Sequence, residues 1–479
     1  MPRLLNRIAT WLFGGSRNVA RRARIVRARY DAATTTPDNR RHWAAADGLS
    51  ARAANSPEVR RVLRNRARYE VANNSYARGI VTTLAHDCIG TGPRLQVQHD
   101  LARELERQFA GWAKAVGLAE KLRVMRMAVA QDGEAFALLV SNPMVSHNVK
   151  LDIQLIEADQ VATPGLVPPQ QPNATDGIEF DRWGNPTAYL VLDAHPGDPD
   201  FAAVATAKRV PAASMIHLFV PERAGQLRGV PEMTAALPLF AQLRRYTLAV
   251  IAAAETAADF SAVLFTDAPA DGDVSEGEPF ESLEIEKRTM VTLPAGYKLE
   301  QLRAEQPSTT YAEFKREILN EIARCLNMPY NIAACNSSGY NYASGRLDHQ
   351  TYYKSIRVWR NRLETTVLDR IFATWLDEAA LTVLPGPVGE DVPHQWFWDG
   401  FEHVDPAKEA NAQATRLANN TTTLAYEYAR QGRDWEEELR QRARELALMR
   451  ELGIDTAGAI TPITDTTDED EYATQTDAN

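Results

Sequence analysis

The chain has 479 residues, a net charge of −10 and 44% hydrophobic residues, enough for more than one sizeable core. Its three cysteines, Cys88, Cys325 and Cys335, fit neither a disulfide framework nor a CxxC metal site, so free thiols and a reducing compartment are expected. No apolar run approaches the roughly 20 residues that span a bilayer, which argues against a membrane partner.

In chain order, residues 1–55 read as a basic arm, with Arg/Ala-rich segments broken at Thr34-Thr-Thr-Pro37. Its first thirteen residues are basic and amphipathic, but the apolar run is too broken for a signal peptide. Ser56-Pro57-Glu58 opens a helix, with serine as N-cap and proline at the first helical position. The pattern continues through Asn73-Asn74 toward Ile89, where Gly90-Thr-Gly-Pro93 ends it. Mixed α/β structure follows: a helix over Leu101–Val116, strands at Glu134–Val140 and Leu151–Ile156, a hairpin over Gly177–Leu192 turning at Gly184-Asn-Pro186, and a strand at Met215–Phe219. An alanine-rich helix spans Leu237 to about Phe265; its small residues suit close packing against neighbours. The acidic stretch to Gln306 carries expected strands at Met290–Leu293 and Lys298–Leu302. Thr310-Tyr-Ala-Glu313 reads as a capping box opening a helix to about Met328, stopped by Pro329. A polar, glycine-punctuated loop, Cys335 to Arg346, separates it from a long helix over Leu347 to about Ala379. Trp396-Phe-Trp398 reads as a buried strand. Asp405-Pro406 and Asp434-Trp-Glu-Glu437 each start a helix, the second ending at Gly453, and the polar residues from Thr461 to Asn479 suit disorder.

Charge is segregated along the chain. Arginines crowd residues 1–69, Arg60, Arg64 and Arg68 among them; Asp271, Asp273, Glu276, Glu278, Glu281 and Glu284 form an acidic block; the far end is acidic again. Such blocks suit solvated faces, or ordered contacts with differently charged partners.

Catalytic motifs are sought and not found. Gly90-Thr-Gly92 lacks the third glycine of a dinucleotide fingerprint, and neither a P-loop nor a Gly-x-Ser-x-Gly elbow occurs. Ser337, Ser338 and Ser344 have no histidine marked as their base, and His349 stands alone on a helix. Asp132, Glu134, Glu157, Asp159 and Asp181 could converge as a two-metal carboxylate site, although strand and turn contexts favour ordinary surface carboxylates. No cofactor and no metal are expected.

Several segments, in order, carry a resemblance. They are Arg60–Arg68 leading to Asn73-Asn74, Gly90–Arg94, Asp132-Gly-Glu134, Ile156–Asp159, Gly177-Ile-Glu179 with Asp181–Pro186, Ile216–Phe219, and Arg223 through Arg228-Gly-Val-Pro231. With Tyr340-Asn-Tyr-Ala-Ser344 and Val404–Ala410, they make the chain resemble lambda-type phage portal proteins from about Tyr30 to Gly453. The resemblance implies an α+β, predominantly helical multidomain fold of wing, stem, clip and crown, closing into a ring, typically dodecameric, with a central channel. Double-stranded DNA would pass through that channel during packaging and ejection. The segments then divide as a basic arm (1–55), wing (56–235), first stem helix (236–265), acidic clip (266–308), second stem helix (309–328), tunnel loop (329–346), long wing helix and returning strand (347–404), helical crown (405–460) and acidic disordered tail (461–479).

It further implies that Asn336, Ser337, Ser338, Gly339, Tyr340, Asn341, Tyr342, Ala343, Ser344 and Arg346 face the DNA channel, with Tyr340 and Tyr342 nearest the duplex. The six clip carboxylates, Asp271 to Glu284, would dock the terminase large subunit and later the head-tail connector proteins; the major capsid protein is a further implied partner. The implied location is the capsid portal vertex of the virion, and the host cytoplasm during assembly. A net-acidic chain with a neutral loop suits sliding, since every phosphate gripped must later be released. Two other readings stay open: a metal-dependent nucleic-acid-processing enzyme using Asp132, Glu134 and Asp159, and a head-tail adaptor without a DNA channel.

Overall fold

The structure, a computed structural model, describes residues 37, 40–42, 44–163, 174–199, 207–259, 263–266, 297–300, 310–384, 389, 392–401 and 406–454. The chain divides into two units, Met1–Ser50 and Ala51–Asn479. The described residues of the first form turns and an irregular stretch, and the described helices and strands all lie in the second.

Helix α1 (Pro57–Asn73) starts as its sequence predicts: the Ser56 hydroxyl accepts from the Val59 N–H and Pro57 fills the first helical position. The helix does not run on to Ile89. Asn74 takes extended backbone angles, and its side-chain oxygen accepts from the N–H groups of Tyr76 and Ala77, capping a separate helix α2 (Ser75–Ile89). The local asparagine cap outcompetes helix continuation. Replacing Asn74 by alanine should lower stability by about 1–2 kcal/mol, the usual cost of a lost N-cap, readable as a drop in thermal midpoint. Gly90, at φ 57, closes α2. Arg360 then donates to the carbonyls of Asp87, Cys88 and Asp399 at 2.9–3.0 Å, satisfying the helix end.

Strand β1 (Arg94–Val97), helix α3 (Ala102–Ala115) and helix α4 (Leu118–Asp132) follow. Leu105, Phe109 and Trp112 share one helical face of α3 and are buried. Phe109 meets Trp375 edge-on at 5.2 Å and Trp396 at 5.5 Å, and the Trp112 indole N–H donates to the Leu151 carbonyl at 2.8 Å. Strands β2 (Glu134–Ser141), β3 (Leu151–Ile156) and β8 (Met215–Phe219) form an antiparallel sheet with β2 central. A second antiparallel sheet runs β4 (Ala174–Thr175), β5 (Ile178–Phe180), β6 (Pro186–Leu192), β7 (Ala207–Pro211). The β5–β6 hairpin turns over Asp181–Asn185, where the Asp181 carboxylate accepts from the N–H groups of Trp183 and Asn185 at 2.8 Å. Phe136, Tyr189, Met215 and Val191 form a small separate core with Ile178.

Helix α5 (Leu237–Asp259) stops short of the predicted Phe265: Val263–Thr266 is strand β9, paired antiparallel with β10 (Tyr297–Glu300). The expected strand at 290–293 lies outside the described residues. Helix α6 (Thr310–Cys325) ends three residues before Met328, with Asn327 in the left-handed region at φ 52. The long helix opens at Tyr342, five residues earlier than Leu347, as α7 (Tyr342–Leu363). A π-helical turn (Glu364–Leu368) joins it to α8 (Asp369–Thr382). That turn presents Glu364 to the Trp398 indole N–H at 2.6 Å, and Asp369 accepts from Trp396 at 2.8 Å. Trp396 lies on β11 (His394–Phe397), which pairs antiparallel with β1. Helices α9 (Pro406–Ala418), α10 (Leu424–Arg430) and α11 (Trp435–Glu451) complete the described chain; Asp434 caps α11 as predicted. No helix among the described residues is long and apolar enough to cross a membrane.

Candidate functional site

Two features gather the residues singled out by sequence: the connection between α6 and α7, and a buried ion network in the α/β body. In the connection, Pro329 precedes a single helical turn, Tyr330–Ala333. Cys335 then enters the left-handed region at φ 50 and Gly339 at φ 85. The Asn336 N–H donates to the Asn331 carbonyl at 3.0 Å, and Ser338 N–H to the Asn336 side chain at 2.9 Å. Asn341 ends the loop as N-cap of α7, accepting from the Ser344 N–H at 2.8 Å while the Ser344 hydroxyl accepts from the Asn341 N–H at 3.3 Å. This reciprocal cap makes Tyr342, Ala343, Ser344 and Arg346 helical, so the open loop is shorter than the sequence suggested.

The exposed stretch is Cys335–Gly339. Tyr340 is half-buried, and its hydroxyl lies against the Asp348 carboxylate; burial first, then that charge, raises its pKa. Asn331 also bonds the His349 ring at 2.9 Å, tying the loop base to α7.

The ion network centres on Glu134, the first residue of β2 and wholly buried. Arg60, Arg64 and Arg68 recur every four residues and so share one face of α1. Arg64 donates to Glu134 at 3.1 Å and to Asp159 at 2.7 Å; Arg68 donates to Asp132 at 2.6 Å and pairs with Asp159 at 2.8 Å. Arg60 pairs with Asp176. From the other side, Arg228 reaches Glu134 through Nε at 2.9 Å and a terminal nitrogen at 2.7 Å, and also donates to the carbonyls of Val161 and Asp176. The Gly229 N–H adds a fourth contact at 3.0 Å, and the His217 ring a fifth at 3.1 Å. His217 is itself stacked between Phe136 at 4.3 Å and Phe219 at 4.6 Å.

Burial alone would raise the Glu134 pKa, but Arg228 and His217 outweigh it and hold the carboxyl well below its usual range. Burial lowers the pKa of His217, keeping the ring neutral beside two guanidinium groups. Burial together with neighbouring Arg228 pulls Arg60 down to about 10. Asp132 is raised by burial despite its bond to Arg68, whereas Arg64 and Arg68 override burial to lower Asp159.

The predicted carboxylates Asp132, Glu134 and Asp159 do converge, but onto arginines. Glu157, Asp159 and His195 bring their polar atoms within 4.8 Å of one another. The Arg68 guanidinium already bridges this group, 3.1 Å from Glu157 and 2.8 Å from Asp159, where a cation would have to sit. Asp181 is engaged in its own turn. Arg60 and Arg64 are therefore structural residues, not part of a solvated basic patch; their four-residue spacing was the signal that could have placed them on one buried face. Arg228 and His217 were missed as hub members. Asp271, Asp273, Glu276, Glu278, Glu281 and Glu284 lie outside the described residues.

Residues 37–360 match the family model described as phage portal protein, lambda family, and the chain belongs to that family of phage portal proteins. A probable portal protein of Halomonas phage phiHAP-1 is 26% identical over 425 residues, covering 82% of this chain and 81% of that protein. Portal protein B of Escherichia phage lambda is 20% identical over 359 residues, covering 67% of each. Among solved structures, the neck of an empty gene transfer agent particle computed with C6 symmetry is 16% identical, with a TM-score of 0.46 over 72% of this chain and 86% of that one. The neck of the native particle computed with C12 symmetry is also 16% identical, with a TM-score of 0.45 over 80% and 95%.

Proposed function

We propose that this chain is the subunit of a homo-oligomeric portal ring, a dodecamer at one vertex of a phage head, through which double-stranded DNA is packaged and ejected. In this reading α5 and α6 are the stem, the stretch between them is the clip that docks the terminase large subunit and later the head-tail connector proteins, and Cys335–Gly339 is the tip of the tunnel loop. The ring acts as a conduit and carries no enzymatic activity of its own.

Beyond family membership, the observation that carries a ring is the second half of α5. Tyr246 to Ala254 holds no charged residue, yet Leu248 is 61% exposed and Ile251 49% exposed. A helix left so apolar and so exposed needs neighbouring copies to cover it.

Mass photometry and negative-stain imaging of the purified full-length chain should show large rings. A strictly monomeric population across a range of salt concentrations would overturn the reading. Replacing Asn336–Gly339 with two glycines spares the Asn341/Ser344 cap, so rings should form normally while packaged DNA per particle falls. Unchanged packaging would remove the loop's proposed role. Magnesium-dependent DNA cleavage that disappears in Asp159→Ala would instead support an enzyme.

A further inference from the structure

The structure carries two exposed helix faces that complement each other in both charge and apolarity. On α7, Arg346, Gln350, Lys354, Arg357 and Asn361 recur every three or four residues and are exposed, with no carboxylate in the stripe. Among the described residues, Arg346, Lys354 and Arg357 form no ion pair. Beside this basic stripe runs an apolar ridge of Leu347, 66% exposed, and Val358, 61% exposed. On α6, Glu313, Glu317 and Glu321 recur every four residues and are exposed, with the exposed Arg324 following in the same row; among the described residues only Glu317 of these three carboxylates is paired, with its exposed neighbour Arg316. Beside them, Phe314 is 48% exposed and, with Ile318, lines a shallow concavity that Glu317, Glu321, Asn320 and Arg324 border, a rim with two carboxylates to one cation.

Resting on the ring reading, we infer that the basic face of α7 in one subunit docks on the acidic face of α6 in the next. The contact is heterologous, with different patches meeting on the two copies, and such contacts give rings where the rotation between copies closes. Each apolar ridge lies about a quarter-turn further round its helix than the charged stripe, in the direction of chain advance. Because the offset has the same hand on both helices, stripe meets stripe and ridge meets ridge only when the two run antiparallel. Phosphates could also satisfy the three cations. They would leave the Leu347 and Val358 side chains exposed, whereas the Phe314 ridge covers them, so a protein face fits better. The exposed loop tip, Ser338 and Gly339, borders the same side of α6, which places the docked helix next to the loop.

The test reverses whole stripes in the full-length chain, so that no residue register need be assumed. Arg346, Lys354 and Arg357 all changed to glutamate should reduce the ring fraction at least tenfold at fixed subunit concentration. Changing Glu313, Glu317 and Glu321 to lysine should do the same, because like charges now oppose each other. Combining both blocks should return rings to within about threefold of the wild-type level. Wild-type rings with either block harmless overturn the pairing, as does failure of the combination to rescue while its melting curve stays normal. Intact rings with lost packaging assign the α7 stripe to DNA and also overturn it. Absence of rings in the wild type speaks against the ring reading itself. Should a reversed block melt early, glutamine blocks at the same positions carry the test: assembly should lose most of its salt dependence, and an unchanged salt dependence overturns the inference.

Discussion

Glu134→Ala should be among the most damaging single substitutions in the chain, lowering local stability by about 3–5 kcal/mol, the usual cost of stripping one partner from a buried ion cluster. Glu134 is the shared acceptor for Arg64, Arg228, His217 and the Gly229 N–H, all at 3.1 Å or less. Its loss takes the shared carboxylate from two guanidinium groups that are 2–5% exposed, leaving Arg64 with Asp159 and Arg228 with Asp176 and backbone carbonyls. Amide hydrogen exchange reads the effect directly: protection along β2 and β8 should fall by roughly a hundredfold or more, since each 1.4 kcal/mol is a factor of ten. An unchanged exchange rate there would show that the network is dispensable. Acid should act in the same place. His217 is kept neutral by burial, so its contribution is complete above about pH 6.5 and declines as pH falls below that value. Glu134 has a depressed pKa; its contribution is present above about pH 4.3 and is lost only as pH falls further, toward its folded value. Loosening of β2 and β8 should therefore begin with His217 and finish with Glu134, and His217→Phe should remove the first step.

How much of this was legible in the sequence depended on how local the deciding interaction is. Ser56, Pro57 and Asp434 act within one helical turn, and the helices they start appear where the pattern put them. The strands Leu151–Ile156 and Met215–Phe219 appear where their apolar runs put them, although their shared pairing with Glu134–Ser141 was not foreseen. Two errors came from asparagine. Asn74 and Asn341 both offer side-chain caps, one splitting a helix that periodicity alone would continue, the other starting a helix inside an apparent loop. The ion network was the least legible part. Arg64 finds Asp159 across 95 positions and Arg228 finds Glu134 across 94, so Arg60 and Arg64, which read as part of a solvated block, are buried charges of the described body. The segments that carried the family resemblance, from Arg60–Arg68 through Asp132-Gly-Glu134 and Ile216–Phe219 to Arg228-Gly-Val-Pro231, are largely those that build this one hub. Their order along the chain was visible, but their meeting point was not.

Gly229→Ala should be as harmful as the loss of Glu134, for a purely steric reason that a paired control can isolate. A Cβ on Gly229 would sit 2.0 Å from the Gly133 carbonyl oxygen and 2.5 Å from its carbon, and the reciprocal Cβ on Gly133 would fall 2.5 Å from the Val230 carbonyl carbon. These are backbone atoms of two crossing strands of chain, with no flexible side chain to swing away. Relief needs a backbone shift on the order of an ångström, because carbon–oxygen contacts close at about 3 Å or more. That shift would carry Arg228 and the Gly229 N–H, which sit at 2.7 and 3.0 Å, off the Glu134 carboxylate. One methyl group thus costs both overpacking and a broken ion cluster, about 3–5 kcal/mol together. Gly225 lies four residues earlier at φ 79 with open space around it, so alanine there meets only the left-handed backbone penalty of about 1–2 kcal/mol. Thermal melts of the two variants should therefore differ clearly, with Gly229→Ala the lower or insoluble. Equal midpoints would mean that the crossing at Gly133 can open without disturbing the hub.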